Sequence, residues 1–344
     1  MRIRNVQLVG KYTYTLSLPK DWIQRWNLKK GDKLVIVEDE DGSLRVSPEL
    51  KGRAKQLSQY RINADKCSRP WLLERLLVGN YMLGKETVEI VSERGIKPEH
   101  LMEVRKALRR LTGLSIVEES QNHVVLQCLI EPIKFPVEKL IRRLYALTSI
   151  MHSDSVKALL DKDKELAISV LQRETEADMV YWLTVRQLVM AADDRSIARD
   201  IGIKDIKHQQ GLRVVAKSLE SIADQAENIA RACLSLIDFN LSLDEEVILL
   251  VKEFSQAVGK INNRAIDAYF KCDLYAANDA INESKETEKY EIKINEVASS
   301  VLKDPRLLMI VYKVADSLRS MTRYAADIAE IAINRFLAES TSLI

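Results

Sequence analysis

The feature that most constrains this chain is an internal repeat. KSLESIADQAENIARACL (217–234) resembles DSLRSMTRYAADIAEIAI (316–333), 99 positions later. Each copy carries a heptad-like seam: Leu219, Ile222, Ala226, Ile229, Cys233 and Leu236 in the first, and Leu318, Met321, Ala325, Ile328 and Ala332 in the second. Apolar residues at this spacing line one face of a helix, and such faces bury against other helices at shallow crossing angles. A chain that carries the seam twice is expected to build the same bundle twice. Residues 134–344 divide accordingly into 134–240 and 241–344, with helices expected at 137–161, 163–193, 205–239, 243–271, 273–303 and 305–338. Ser242 followed by Glu245 reads as a capping box, and Asp304 before Pro305 as a cap ahead of a first-turn proline.

The front of the chain is different. Residues 1–50 alternate as strands around a short helix, KDWIQRWNL, and Asp41-Gly42 signals a hairpin. So small a unit has too little core to stand alone and should pair with a second copy. Residues 51–133 read as a small α/β domain, with strands LSQYRI, TVEIVSE, LSIVEES and HVVLQCLI and helices at 70–83 and 98–111. The fold class is therefore multidomain: a β-rich N-terminal domain, a small α/β domain and an all-α pair of three-helix bundles.

Charge separates along the same lines. The 344 residues carry a net charge of +2. Residues 1–50 hold 9 basic and 7 acidic side chains, residues 51–145 hold 18 and 11, and residues 146–344 hold 25 and 32. A basic front and an acidic rear point to different partners. The four cysteines form no C-x-x-C pair, which reads as a reducing, cytoplasmic chain. No apolar run is long enough for a transmembrane helix, so no membrane insertion is expected.

Motifs narrow the chemistry. Gly79-Asn-Tyr-Met-Leu-Gly84-Lys85 fits most of a phosphate-binding loop, but Glu86 stands where a hydroxyl should meet magnesium. The stretch also ends a helix and leads into a strand, so a helix C-cap at Gly84 is the better reading. G-x-S-x-G, H-E-x-x-H and Glu-x-x-His are all missing, and no catalytic residue is assigned.

Two carboxylate pairs remain. Glu174 and Asp178 are four apart on one helix, and Glu220 and Asp224 are four apart on another. Glu174 and Asp178 fall in the apolar stripe of Ala167, Leu171, Tyr181, Val185 and Leu188. Like charges at that spacing repel, more so when partly buried, so a cation should compensate. It could be a hard metal held from two helices, or an Arg or Lys of a neighbour. Arg105, Lys106, Arg109 and Arg110 crowd one helix end, and Arg142-Arg143 starts another; both read as solvated faces or interdomain pairs.

Two resemblances join these observations. Residues 5–48, with the strand ending Ser17-Leu18-Pro19-Lys20, the short helix, the Leu28-Lys-Lys-Gly31-Asp32 turn and the final hairpin, resemble the AbrB/SpoVT swapped-hairpin domain. That resemblance implies an intertwined homodimer and DNA binding. Arg2, Arg4, Lys11, Lys20 and Arg25, interleaved with Tyr12, Tyr14, Trp22 and Trp26, are the candidate phosphate contacts. The stretch Leu219-Glu220-Ser-Ile222-Ala-Asp224-Gln-Ala-Glu-Asn228-Ile229-Ala230 resembles the PhoU family of phosphate-uptake regulators. It implies two three-helix bundles that bind iron or zinc through E/D-x-x-x-D motifs, and so a metal site lined by Glu174, Asp178, Glu220 and Asp224. In the second repeat Arg319 and Arg323 replace Glu220 and Asp224. Facing Glu283, Glu286 and Glu288, they are expected to form salt bridges in place of a metal.

The combined order resembles archaeal phosphate-uptake regulators. It implies a regulator of phosphate uptake and phosphate homeostasis that is not an enzyme, with DNA and a phosphate transporter component or sensor kinase as partners. The competing expectation is an interaction protein that binds no DNA, whose hairpin domain only dimerises.

Overall fold

The computed structural model describes residues 3–38, 42–48 and 59–340, so Arg2 and Asp41 lie outside the described residues. The chain forms two compact units, Met1–Gln56 and Leu57–Ile344. The sequence had suggested three segments; the α/β and helical portions fall together in the second unit.

The first unit contains two antiparallel hairpins. β1 (Gln7–Val9) pairs with β2 (Thr13–Thr15), and β3 (Leu34–Glu38) pairs with β4 (Leu44–Pro48). Between the hairpins lies α1 (Lys20–Arg25), which begins behind Pro19. None of the residues of this unit whose burial is described is buried, and Ile3, Val6, Leu8, Val9, Tyr12, Tyr14 and Leu16 are all solvent-exposed.

The second unit opens with β5 (Gln59–Asn63), α2 (Leu72–Met82), β6 (Thr87–Val91), α3 (Pro98–Arg110), β7 (Leu114–Glu119) and β8 (His123–Cys128). The sheet order is β5-β6-β8-β7; β5 and β6 are parallel across the α2 crossover, and the other pairs are antiparallel. Its core is built from Ile62, Leu73, Leu77, Tyr81, Ile90, Val104, Val124 and Leu126. Helix α2 ends as expected at Gly84, whose φ is +76°. There the Lys85 N–H bonds to the Asn80 carbonyl (3.1 Å) and the Gly84 N–H to that of Tyr81 (3.0 Å). The reversed bonding of a Schellman cap satisfies the last carbonyls and leaves no phosphate cradle.

The bundles follow. The first contains α4 (Val137–Asp161), α5 (Lys164–Asp193) and α7 (Ile206–Asp238), with the short α6 (Arg195–Asp200) between the last two. The second contains α8 (Glu245–Lys271), α9 (Leu274–Glu286), α10 (Glu288–Val301) and α11 (Pro305–Glu339). The repeated seams on α7 and α11 are buried and share one core. The joints repeat as well. Lys162 and Cys272 each close a helix in the left-handed region, at φ 53°. Asp163 and Asp273 then cap the next helix by accepting the N–H of Leu166 (2.9 Å) and Ala276 (3.0 Å).

Two expectations fail locally. The N-cap of α8 is Asp244, which accepts the Glu246 N–H at 2.9 Å, and Ser242 instead meets Lys162 Nζ. An aspartate two residues nearer the helix displaces the predicted capping box. The single helix expected over 273–303 is broken at Thr287 into α9 and α10. The Ser284 carbonyl, which would accept the Glu288 N–H in a continuous helix, accepts instead from Thr287 Oγ1 (2.6 Å), Arg319 Nη1 (2.7 Å) and the Thr287 N–H (3.2 Å). The short helix α6 has no periodic pattern long enough to announce it.

The α/β portion is bound to the first bundle through α5. Arg186, 2% exposed, donates to the carbonyls of Tyr81 (2.7 Å) and Lys85 (2.9 Å), the C-terminal end of α2. A cation there meets the negative end of the helix dipole and its orphan carbonyls. Trp182 packs against both cores.

Candidate metal centre

Helices α5 and α7 bring the predicted carboxylates to one seam. Both helices are held by the buried stripes that define the first bundle, so residues at i, i+4 and i+7 of α7 face α5. The four predicted residues lie close enough to act on one another electrostatically, but their nearest grouping is a different set. Glu174 of α5 and Asp224 of α7 come together, and Glu227 joins them: one carboxylate oxygen from each lies within 4.8 Å of the others. Asp178 and Glu220 are buried at 7% and 9% exposure, but each already has a cation. Arg110 Nη2 of α3 bonds Asp178, and Lys217 Nζ bonds Glu220 one turn away on the same helix.

This division follows from where cations can reach. Arg110 extends from the end of α3 across to α5, and its guanidinium also lies 3.7 Å from Glu74 and 4.6 Å from the Trp182 ring centroid. Glu174 and Asp224 have no ion pair among the described residues. Glu227 is shared with Arg231, at 2.6 Å. Burial, with Asp178 and Glu227 nearby, pushes the Glu174 carboxyl up to about 7. Burial and Glu220 push Asp224 up to about 6. The Asp178 carboxyl is also raised by burial, with Arg110 pulling against it. Burial is the main cause of these shifts, and the opposing pull of Arg110 on Glu174 and of Lys217 on Asp224 does not offset it.

Three carboxylates with no imidazole or thiolate form a hard, all-oxygen donor set. It suits Mg²⁺, Mn²⁺, Ca²⁺ or ferric iron, and suits zinc, which favours nitrogen and sulfur, less well. Glu227 was missed in the sequence, although it stands seven residues after Glu220 and three after Asp224, on the same helix face. Arg110 stands in the basic cluster read as a solvated face or interdomain pairs, but its partner, 68 residues away, carried no signal in the sequence.

The second repeat departs from the expected salt bridges. Arg319 is 8% exposed and hydrogen-bonds neutral oxygens: the Ser284 carbonyl (2.7 Å), Thr287 Oγ1 (2.9 Å) and Thr322 Oγ1 (3.1 Å). Glu283 pairs with Arg264, and Glu286 lies 3.7 Å from Lys289. The break at Thr287 supplies Arg319 with close neutral acceptors, while Glu288 and Glu291 act on it only through space. Arg323 is exposed.

In the N-terminal unit, Arg4, Lys11, Lys20 and Arg25 are all exposed. Arg4 precedes β1, Lys11 lies in the turn between β1 and β2, and Lys20 and Arg25 begin and end α1. Among the described residues, no helix is long and apolar enough to cross a membrane.

Comparison with known proteins adds the following. The family model described as the PhoU domain matches residues 141–233 and 251–332, together about half of the chain. The model described as antidote-toxin recognition MazE, bacterial antitoxin, matches residues 8–54. The phosphate-specific transport system accessory protein PhoU homolog of Pseudomonas aeruginosa is 27% identical over 194 residues, 53% of this chain and 74% of that protein. The Pseudomonas putida protein of the same description is 26% identical over 192 residues, 55% and 69% of the two chains. The crystal structure of PhoU from Pseudomonas aeruginosa aligns with a TM-score of 0.53 at 21% identity, over 59% of this chain and 96% of that one, a likeness of fold.

Proposed function

The chain belongs to the PhoU domain family, and from that premise we propose that it regulates phosphate transport, with a cation at Glu174, Asp224 and Glu227 as part of its helical domain. The observation that carries the reading is the placement of those carboxylates within the first matched repeat. A hard cation bound there would supply positive charge between α5 and α7. Glu174 and Asp224 would hold it, and Glu227 would turn from Arg231 to complete the set. The reading is regulatory: the carboxylates join two helices of the bundle, so a cation bound there would act on how those helices are held.

The N-terminal unit enters the proposal as a dimerisation and DNA-binding module. Its exposed apolar residues fit pairing with a second copy, and Arg4, Lys11, Lys20 and Arg25 would contact phosphates. The helical domain would then act on a phosphate transporter component or a sensor kinase.

Two measurements test this. Elemental analysis of protein purified without chelators should find a bound metal, lost when Glu174→Gln and Asp224→Asn are combined. Gel shifts on phosphate-transport promoters should show binding that weakens steeply with salt. Metal content unaffected by the double substitution removes the site assignment. Absence of any shift, with dimerisation intact, favours an interaction protein that does not bind DNA.

A further inference from the structure

A second site lies outside the carboxylate cluster, in a groove where α2, α3 and α5 meet. Its volume is about 530 Å³, inside the roughly 300–1,000 Å³ range of small-molecule sites. Trp71, Arg75 and Gly79 follow one another at four-residue intervals on α2 and its N-cap, so they share one face of that helix. Lys106 and Arg110 face them from α3, and Trp182 from α5.

The chemistry of the lining is specific. Trp71 stands at the mouth with 47% of its surface exposed, an unusual place for a large apolar ring. Lys106 Nζ lies 4.4 Å from the Trp71 ring centroid, and the Arg110 guanidinium 4.6 Å from that of Trp182. Arg75 is exposed. Lys106 and Arg110 are paired with Glu74 and Asp178, and Glu103 accepts the Trp71 and Glu74 N–H groups, which leaves Arg75 as the groove cation with no ion pair among the described residues. A Cβ built on Gly79 meets no atom within 4 Å, so the glycine leaves open space along the α2 wall.

We propose that this groove binds a nucleoside phosphate, with the base against the exposed indole of Trp71 and the phosphates on Arg75, Lys106 and Arg110. Aromatic faces bind planar bases, and guanidinium and ammonium groups bind phosphate oxygens. The Gly84-Lys85 loop takes no part, because it is consumed by the α2 cap. The groove is separate from the Glu174, Asp224 and Glu227 cluster; Arg110 lines the groove and bonds Asp178, one helical turn from Glu174.

The test is calorimetric titration of the full chain with ATP, with chelator present so that no cation at the carboxylates contributes. ATP should bind, and adenosine and pyrophosphate should each bind at least about tenfold more weakly. Arg75→Glu changes an exposed side chain and should leave the melting temperature unchanged while weakening ATP by about tenfold or more; Trp71→Ala should give a similar loss. Four outcomes would overturn the proposal: no heat at about 1 mM ATP, pyrophosphate binding as tightly as ATP, unchanged affinity in both variants, or a single-stranded oligonucleotide binding more tightly than ATP and lost in the same variants. The last would make the groove a nucleic-acid surface.

Discussion

Arg110, the last residue of α3, bonds Asp178 of α5 and so ties the α/β portion to the bundle beside the carboxylate cluster. The pair is largely buried, with side-chain exposures of 28% for Arg110 and 10% for Asp178. Asp178 is one helical turn from Glu174, so the same guanidinium removes one carboxylate from the group available to a metal.

Breaking this pair has two consequences. Arg110→Ala leaves Asp178 buried without its cation and should destabilise the protein by about 1–3 kcal/mol. Because Asp178 is then released beside Glu174, affinity for Mn²⁺ should rise. Urea unfolding and calorimetry measure the two effects; weaker Mn²⁺ binding in Arg110→Ala would show that the arginine supports the site instead of competing with it.

Protons compete with any cation at the cluster. The folded-state values of about 7 for Glu174 and about 6 for Asp224 lie above the ordinary carboxylate range, chiefly through burial. The folded, metal-free protein therefore holds more protons than the unfolded chain between roughly pH 4 and 7, and the cluster's contribution to stability falls as pH rises through that window. A bound cation reverses this. The gain in melting temperature on adding Mn²⁺ should be small at pH 5 and large at pH 8. An equal gain at both would separate metal binding from these acids.

The N-terminal unit makes a prediction about assembly. Among the residues of 1–56 whose burial is described none is buried, so these residues show no core within one copy. Removal of those residues should lower the sedimenting mass by half or more and leave the melting of residues 57–344 in place. An unchanged mass would locate self-association in the second unit.

The repeated caps should be energetically equivalent. Asp163→Ala and Asp273→Ala should each cost about 1 kcal/mol by denaturant unfolding, and the double variant should be additive, because the two caps share no partner. A strongly smaller effect at one cap would mean that its helix is fixed by packing alone.

Much of the fold was legible because its signals are local. The seams of Leu219 to Leu236 and Leu318 to Ala332 predict α7 and α11, and Asp304-Pro305 marks the start of α11. The Thr287 break was not legible, because it arises from Arg319, which lies far along the chain. Two of the three carboxylates of the candidate site were legible from local signals too. Glu174 is legible from its place in an apolar stripe and Asp224 from its four-residue spacing to Glu220, and Glu227 stands three residues after Asp224 on the same face. That Asp178 and Glu220 are already paired could not be read, since i,i+4 spacing says that two carboxylates are neighbours and nothing about which cation reaches them.

The sequence by itself determined the long helices, their pairing into two repeats and the acidic character of the seam between α5 and α7, because periodicity acts over a few residues. Only the tertiary structure decided which carboxylates remain without a cation. That depends on Arg110 crossing from the α/β portion and Lys217 folding back along α7, and charge neutralisation is set by distances in space, not by separation along the chain.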